Sequence, residues 1–107
     1  MVVTFPSIVF SPGYSHLDSI RYGRNVYHLG FSYGAERGFD YNLYVYIVYE
    51  CDSLGLICIN VDNPYSETNQ SAEIPQHNVR FIQQNNSDGL YVQVDDDLIV
   101  VSTNTPP

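Results

Sequence analysis

A run of mainly apolar and aromatic positions, without Gly or Pro, occupies residues 41–50, Tyr-Asn-Leu-Tyr-Val-Tyr-Ile-Val-Tyr-Glu. Such residues fit the pleated surface of a β-strand, and the run lacks the 3.6-residue period of a helix. Because alternate residues of a strand share a face, both faces of this strand are mainly apolar. The pattern therefore predicts a strand covered on both sides. Tyr44 and Tyr46 are expected in the core, and the alternative is an exposed aromatic stripe used for binding.

Other apolar runs have the length and composition of strands. A first strand at residues 2–10 is interrupted by Pro6, which cannot donate a ladder hydrogen bond and therefore indicates an edge strand. The remaining predicted strands are 25–33, 56–62, 78–84, 90–95 and 98–102. Residues 63–77 are polar and carry two prolines, which predicts a long loop. These features predict a mainly β fold of about seven strands, either a small antiparallel sandwich or a partly open barrel.

One short helix is expected near residues 16–22. Ser15 can cap its start, with Asp18 three residues further on, and Gly23 can end it. The two apolar residues that would face inward are Leu17 and Ile20.

Composition and charge restrict the possible partners. The chain has 107 residues, of which 44% are hydrophobic, which predicts one folded domain at residues 1–102 and a tail at 103–107. Twelve Asp and Glu stand against four Arg and no Lys, so the formal net charge is -8. A surface this negative repels nucleic acids and anionic membranes, so neither is expected as a direct partner.

The charge is also unevenly distributed. Residues 1–37 carry Arg21, Arg24 and Arg37 against two acids, a balance of +1, whereas residues 38–107 carry -9, and the two parts sum to -8. An acidic body favours a basic partner. The same asymmetry would permit head-to-tail association, in which the basic corner of one copy meets the acidic side of the next.

The sequence also predicts where the protein resides. No stretch reaches the roughly 18 apolar residues of a membrane span, and the N-terminal residues lack the pattern of a signal peptide. We therefore expect a cytoplasmic protein. Cys51 and Cys58 are then expected as free thiols that fill apolar space, and two cysteines do not supply the four ligands of a zinc site.

Candidate catalytic chemistry is sparse. His16, His28 and His77 are scattered, and Ser15 and Asp18 beside His16 fit a helix cap better than a catalytic triad. The three acids at 95–97 are expected to form a solvated turn, with a partner-contacting patch or a metal site as alternatives. No phosphate loop or nucleophile elbow is present. We therefore predict no catalytic residues, cofactor or metal, and a protein that is not an enzyme.

The leading hypothesis is a small non-enzymatic binding or inhibitor protein that engages a basic surface of a partner protein. One form of this function is a phosphate mimic, such as an anti-defence or immunity protein, whose carboxylates occupy a site for nucleic acid. The predicted contact residues are acids of the loops and C-terminal half with two tyrosines as anchors. They are Asp62, Tyr65, Glu67, Glu73, Asp88, Tyr91, Asp95, Asp96 and Asp97.

Two alternatives belong to other functional classes. The first is a self-assembling subunit of a homo-oligomer, virion or filament, because a chain without Lys lacks a common device that blocks pairing at strand edges. The second is a small-ligand binder or enzyme with a pocket formed by His28 and tyrosines.

Overall fold

The computed structural model describes residues 14–35, 42–69, 77–83 and 89–103. Within these ranges, seven strands form two antiparallel sheets, one of order β1-β2-β3-β4 and one of order β5-β6-β7. The strands are β1 (Ser15–Tyr22), β2 (Asn25–Ala35), β3 (Asn42–Cys51), β4 (Cys58–Asn69), β5 (Val79–Ile82), β6 (Tyr91–Val94) and β7 (Asp97–Val100). The predicted mainly β fold of about seven antiparallel strands is confirmed, and the strands do not close into a barrel.

A shared hydrophobic core joins the two sheets. Tyr27, Leu29 and Val48 of the first sheet are fully buried, as is Val92 of the second. The other buried members are Tyr22, Tyr46, Phe81, Leu90, Val94 and Val101. Burying one large apolar side chain contributes about 1.5–3 kcal/mol relative to leaving it exposed, so this core makes a large favourable contribution to folding.

The central strand β3 is covered on both faces, as its sequence predicts. Tyr44 and Tyr46 on one face are 2% and 6% exposed, and Ile47 and Tyr49 on the other are 7% and 5% exposed. The ring of Tyr14 packs edge-on against Tyr49, with 5.4 Å between the ring centroids. Tyr44 and Tyr46 are therefore core residues, and the alternative of an exposed aromatic stripe is wrong.

The helix expected near residues 16–22 is also wrong, because this segment forms strand β1. β1 pairs with β2 through a tight turn in which Gly23 has a φ of 62°, a conformation that suits a two-residue hairpin. A helix of two turns is marginal in water, whereas the hairpin pairs the backbone along the strand. The register shifts between His16 and Asp18, and Leu17 at this irregularity is 41% exposed instead of facing inward.

The long loop predicted at residues 63–77 is wrong for residues 63–69, because β4 continues to Asn69, and residues 70–76 lie outside the described residues. β4 is an edge strand of its sheet, and an edge strand tolerates Pro64, which lacks a backbone donor. Tyr65 lies opposite Tyr46, and Glu67 lies opposite Tyr44. This extension carries two of the predicted contact residues onto the strand.

The expectation of free thiols is wrong in this structure, because Cys51 and Cys58 form a disulfide. The sequence predicts a short hairpin loop with a return strand from residue 56, but the return strand starts at Cys58. The longer loop places the two cysteines directly opposite each other in the register of β3 and β4, with 4.0 Å between their Cα atoms, which is close enough for them to be bridged.

Two aspartates connect the sheets at opposite edges of the first sheet. Asp18 of β1 accepts a hydrogen bond from the backbone N–H of Phe81 at 2.9 Å, and Asp62 of β4 accepts one from Ser102 at 2.9 Å. Hydrogen bonds to charged acceptors contribute about 1.5–3 kcal/mol. Asp62, predicted to contact a partner, therefore has a structural contact within the chain.

Several predictions lie outside the described residues. They are the strand at 2–10, the contact residues Glu73 and Asp88, and the tail beyond residue 103. The single domain at residues 1–102 stays a prediction. In the described ranges, no helix has the length and apolar character needed to cross a membrane.

Candidate binding site

One corner of the molecule gathers carboxylates from segments far apart in the sequence. Glu67 comes from β4, Asp95 and Asp96 form the turn between β6 and β7, and Asp97 is the first residue of β7. These four residues are called the acidic corner. Asp95, Asp96 and Asp97 are exposed, and Glu67 is partly buried. The corner brings together four of the nine predicted contact residues.

His77, which precedes β5, connects the two parts of this corner. Its Nδ1 lies 2.6 Å from Oδ2 of Asp95, and its Nε2 lies 2.9 Å from Oε1 of Glu67. A ring nitrogen must carry a proton to bond a carboxylate, so engaging both carboxylates favours the imidazolium form. The hydrogen bonds to Asp95 and Glu67 accordingly raise the pKa of His77 above its usual value. Glu67, His77 and Asp95 are called the His77 clamp.

Backbone contacts fix the turn that carries Asp95. The N–H of Asp95 donates to the carbonyl of Asn78 at 2.8 Å, and the N–H of Asn78 donates to Oδ1 of Asp95 at 2.9 Å. The hydrogen bond from Asn78, with that from His77, lowers the pKa of Asp95. Asp95 has a φ of 53°, a left-handed conformation that Asp tolerates better than most residues. The corner therefore has a defined geometry on the side of Asp95.

Aromatic rings support the clamp from the core side. Tyr46, Tyr65 and His77 form a group with ring centroids 5.6–6.4 Å apart, a spacing typical of stabilising aromatic pairs. The hydroxyl of Tyr65 donates to Oε2 of Glu67 at 2.9 Å, which holds the pKa of Tyr65 above its usual value. Burial, with the charge of Glu67, raises the pKa of Tyr46 to about 12. Tyr65, another predicted contact residue, therefore lies beside the acidic corner.

The structure does not bring the remaining described candidates to this corner. Asp62 bonds to Ser102, and Tyr91 lies on β6 opposite Val100. His77 is the residue that the sequence does not identify, because its partners lie 10 and 18 positions away and no local motif marks it. Its partners are defined by the packing of the two sheets.

An open polar groove adjoins the corner on the second sheet. Its volume is about 460 Å³. The side-chain amide of Gln93 links two residues that line the groove. Its Oε1 accepts a hydrogen bond from Arg80 at 3.4 Å, and its Nε2 donates one to the backbone carbonyl of Asp95 at 2.9 Å. The groove is lined by Asn78, Val79, Arg80, Gln93 and Asp95. It provides space for an extended polar group next to the carboxylates.

His28, the residue proposed for a ligand pocket, lies elsewhere. It is 4% exposed, and its Nδ1 lies 2.9 Å from Nε2 of His16. Burial, together with the charge of His16, lowers the pKa of His28 to about 4, so the ring is neutral at pH 7. Among the described residues, no group of three or more His, Cys, Asp or Glu is placed to hold a metal ion.

Comparison with known proteins gave no match to a protein-family model, to a curated protein or to a solved structure. The function must therefore be argued from the chemistry of the site itself.

Proposed function

We propose that this protein is a non-enzymatic binding protein that engages a basic surface of a partner protein through the acidic corner. The observation that carries this proposal is the pairing of Glu67 and Asp95 through His77, with the exposed Asp96 and Asp97 directly after Asp95 in the chain. With His77 protonated, the five side chains carry a local charge of -3. Arg and Lys side chains on a partner would complement this charge and speed the encounter.

The arrangement of the corner supports binding rather than acid-base catalysis. A general base needs a ring nitrogen with a free lone pair, but carboxylates engage both ring nitrogens of His77. A binding surface instead benefits from side chains that are already ordered, because less conformational entropy is lost on association. We therefore assign the corner no catalytic role.

Phosphate mimicry is the narrower form of this proposal. Successive exposed carboxylates at Asp95, Asp96 and Asp97 present negative charge at the edge of the second sheet, as phosphates do along a nucleic acid. A partner of this kind is a nucleic-acid-binding protein, and an oligonucleotide should compete with this chain for it.

Capture from cell lysate tests the proposal. The immobilised wild-type protein should retain a basic protein, and raised salt should release it as the carboxylates are screened. The variant Asp96→Asn/Asp97→Asn removes two charges outside the His77 clamp and should lose the captured protein. The control Asp52→Asn keeps an oxygen that can accept the hydrogen bond from Leu56, and it should retain the protein. Equal recovery by wild type and the corner variant would refute the proposal.

We also propose that the protein resides in the cytoplasm. A disulfide is uncommon in a reducing compartment. Whether Cys51 and Cys58 are bridged or free in cells therefore bears directly on the proposed location. Rapid thiol alkylation of cells that produce the protein should show whether the bond persists there.

Self-assembly is a second candidate function, and a specific observation favours it. Large apolar side chains are exposed at both ends of the molecule, among them Leu54 and Leu56 at one end and Leu98 and Val100 near the other. Exposed apolar groups of this kind, when clustered, mark interaction surfaces.

A further inference from the structure

The loop between β3 and β4 is the most apolar exposed part of the described chain. Leu54, Leu56 and Ile57 are 72%, 66% and 70% exposed, and Ile59 at the start of β4 is 47% exposed. These four side chains are called the hairpin tip. Exposed apolar residues scattered singly need no explanation, but four within six positions form a local patch.

A disulfide and several hydrogen bonds constrain the hairpin tip. The disulfide between Cys51 and Cys58 closes the loop, and the N–H of Asp52 donates to the carbonyl of Ile57 at 3.0 Å. The side chain of Asp52 accepts from the N–H of Leu56 at 2.8 Å. Gly55 has a φ of 73°, which a residue with a Cβ rarely adopts. A loop ordered in this way loses little entropy when it binds.

The hairpin tip lies at the end of the molecule that carries Arg21 and Arg24. Val26 lies opposite Cys51 in the sheet, so the β1–β2 turn and the tip occupy the same end. Arg21 and Arg24 are exposed at this end, and neither forms an ion pair with a carboxylate of the described residues. Asp52 and the buried Glu50, which accepts a hydrogen bond from Tyr27, also lie at this end, so the formal local balance is 0 and the exposed charges are those of the two arginines.

The acidic corner lies at the opposite end of the same sheet. Tyr44, which pairs with Glu67, lies seven positions from Cys51 along β3, or roughly 23 Å. This distance exceeds two Debye lengths at physiological ionic strength, so the two ends act as separate electrostatic surfaces. With the four carboxylates counted as negative, and protonated His77 and Arg80 counted as positive, the net charge at the acidic corner is -2.

Exposed apolar side chains also accompany the acidic corner. Strand β7 follows directly from the acidic turn and forms one edge of its sheet. Its residues Leu98 and Val100 are 45% and 60% exposed. One end of the molecule therefore combines exposed apolar side chains with two exposed arginines, and exposed apolar side chains of β7 follow the acidic corner along the chain.

We propose that two copies of this chain associate head to tail, with the hairpin tip of one copy packed against Leu98 and Val100 of the next. Arg21 and Arg24 of the first copy then face the acidic corner of the second. This inference rests on the proposed function, because it identifies the basic surface as part of another copy. Contact between two tips would place Arg against Arg, and contact between two corners would place acid against acid, so the heterologous arrangement is the complementary one.

The contact is expected to be weak. Each tip contributes four apolar side chains, whereas a standard stable interface involves roughly 20–30 residues per partner. The fraction of associated protein should therefore keep rising with protein concentration up to about 1 mM. Because a heterologous contact leaves one tip and one corner available in every assembly, chains longer than dimers should form as the concentration rises.

Light scattering of the purified full chain tests this inference. The average mass of the wild type should rise with concentration, and the rise should be smaller at about 1 M ionic strength than at about 0.01 M. The tip variant Leu56→Ser/Ile57→Ser should remain monomeric, and so should the edge variant Leu98→Ser/Val100→Ser. An equimolar mixture of the two should form dimers and nothing larger, since each retains one intact surface.

The outcomes separate this inference from the proposed function. A wild type that is monomeric throughout, or a mixture of the two variants that does not dimerise, overturns the head-to-tail contact. If a monomeric wild type still captures a basic protein through Asp96 and Asp97, the proposed function stands without the second copy. A charge swap provides a check that does not alter the apolar residues. Arg21→Glu/Arg24→Glu should weaken association several-fold, and adding Asp96→Arg/Asp97→Arg in the same chain should restore it.

Discussion

His77 is the residue on which the geometry of the acidic corner depends most. It links a carboxylate of β4 to one of the β6–β7 turn, and both bonds require its protonated form. Without this charge, Glu67 and Asp95 would repel each other across the junction of the two sheets. The protonation state of His77 is therefore coupled to the arrangement of the corner.

This coupling predicts a pH-dependent contribution of His77 to stability. The pKa of His77 is raised in the folded state, so its contribution is fully present below the unfolded value of about 6.5 and is lost as pH rises through the folded value. The pKa of Asp95 is lowered, so its contribution is present above the unfolded value and is lost as pH falls through the folded value. The clamp should therefore stabilise most between these limits.

Urea unfolding of His77→Gln from about pH 5.5 to pH 9 checks this expectation. The variant should be less stable than wild type by about 0.2–1 kcal/mol at the acidic end, the range for partly exposed ion pairs, and the difference should shrink as pH rises. His16→Gln is the control, because His16 contacts His28 rather than a carboxylate. A stability difference for His77→Gln that does not change with pH would contradict the clamp.

Gly30 gives a second prediction at the scale of one residue. A Cβ at this position would lie 2.2 Å from Cζ of Tyr14 and 2.5 Å from the backbone oxygen of Ser15. Since one of these atoms is backbone, Gly30→Ala must displace the start of β1 as well as the ring. Such overpacking costs about 1–3 kcal/mol. Chemical denaturation should show this loss, whereas Ser32→Ala on the same strand should change stability by less than about 0.5 kcal/mol. Wild-type stability of Gly30→Ala would contradict the close packing of Tyr14.

At the scale of elements, the β3–β4 hairpin combines a covered strand with an exposed apolar tip. The disulfide at its base connects these two parts. An eight-residue loop closed by a disulfide restricts the unfolded chain by about 2 kcal/mol in the chain-entropy model. The bond should therefore contribute to global stability as well as to the order of the tip.

Reduction of the protein checks this contribution. The variant Cys51→Ser/Cys58→Ser should unfold at lower denaturant concentration, with a loss of about 2 kcal/mol, and reductant should have no further effect on it. Reductant should lower the stability of wild type by a similar amount. Titration of the unfolded, unreduced wild-type chain with a thiol reagent should find no free thiol. Two reactive thiols per chain would contradict the disulfide.

The sequence predicts the elements of this fold better than it predicts their contacts. The nearly continuous apolar and aromatic run at residues 41–50 correctly predicts a strand covered on both faces, because both sets of alternate side chains are mainly apolar. Residues 15–22 also suit a short helix, and their pairing with β2 decides the outcome. The partner of Cys51 depends on the length of the hairpin loop, which one sequence does not determine.

The acidic corner is predictable in composition but not in geometry. Tyr65, Glu67 and the acids at 95–97 stand out as charged or aromatic residues of the C-terminal half. Their convergence depends on the packing of two sheets, and the residue that connects them, His77, lies in a segment without periodic pattern. Contacts between residues distant in sequence are set by the tertiary fold, which local patterns do not encode.

At the scale of the whole molecule, charge is separated along the long direction of the first sheet. The basic turn and the hairpin tip lie at one end, and the acidic corner lies roughly 23 Å away along β3. The net charge of -8 describes the average surface, whereas a partner responds to the end that it approaches. Both the binding of a basic partner and the head-to-tail contact depend on this separation.

The central claim is that the acidic corner is the surface that recognises basic groups. An NMR titration of the isotope-labelled protein with an arginine-rich peptide tests it most directly. The backbone signals of Glu67, His77 and Asp95–Asp97 should shift first and most, and Asp96→Asn/Asp97→Asn should weaken the binding several-fold while Asp52→Asn should not. Shifts spread evenly over all the acids, or concentrated away from the corner, would contradict the account.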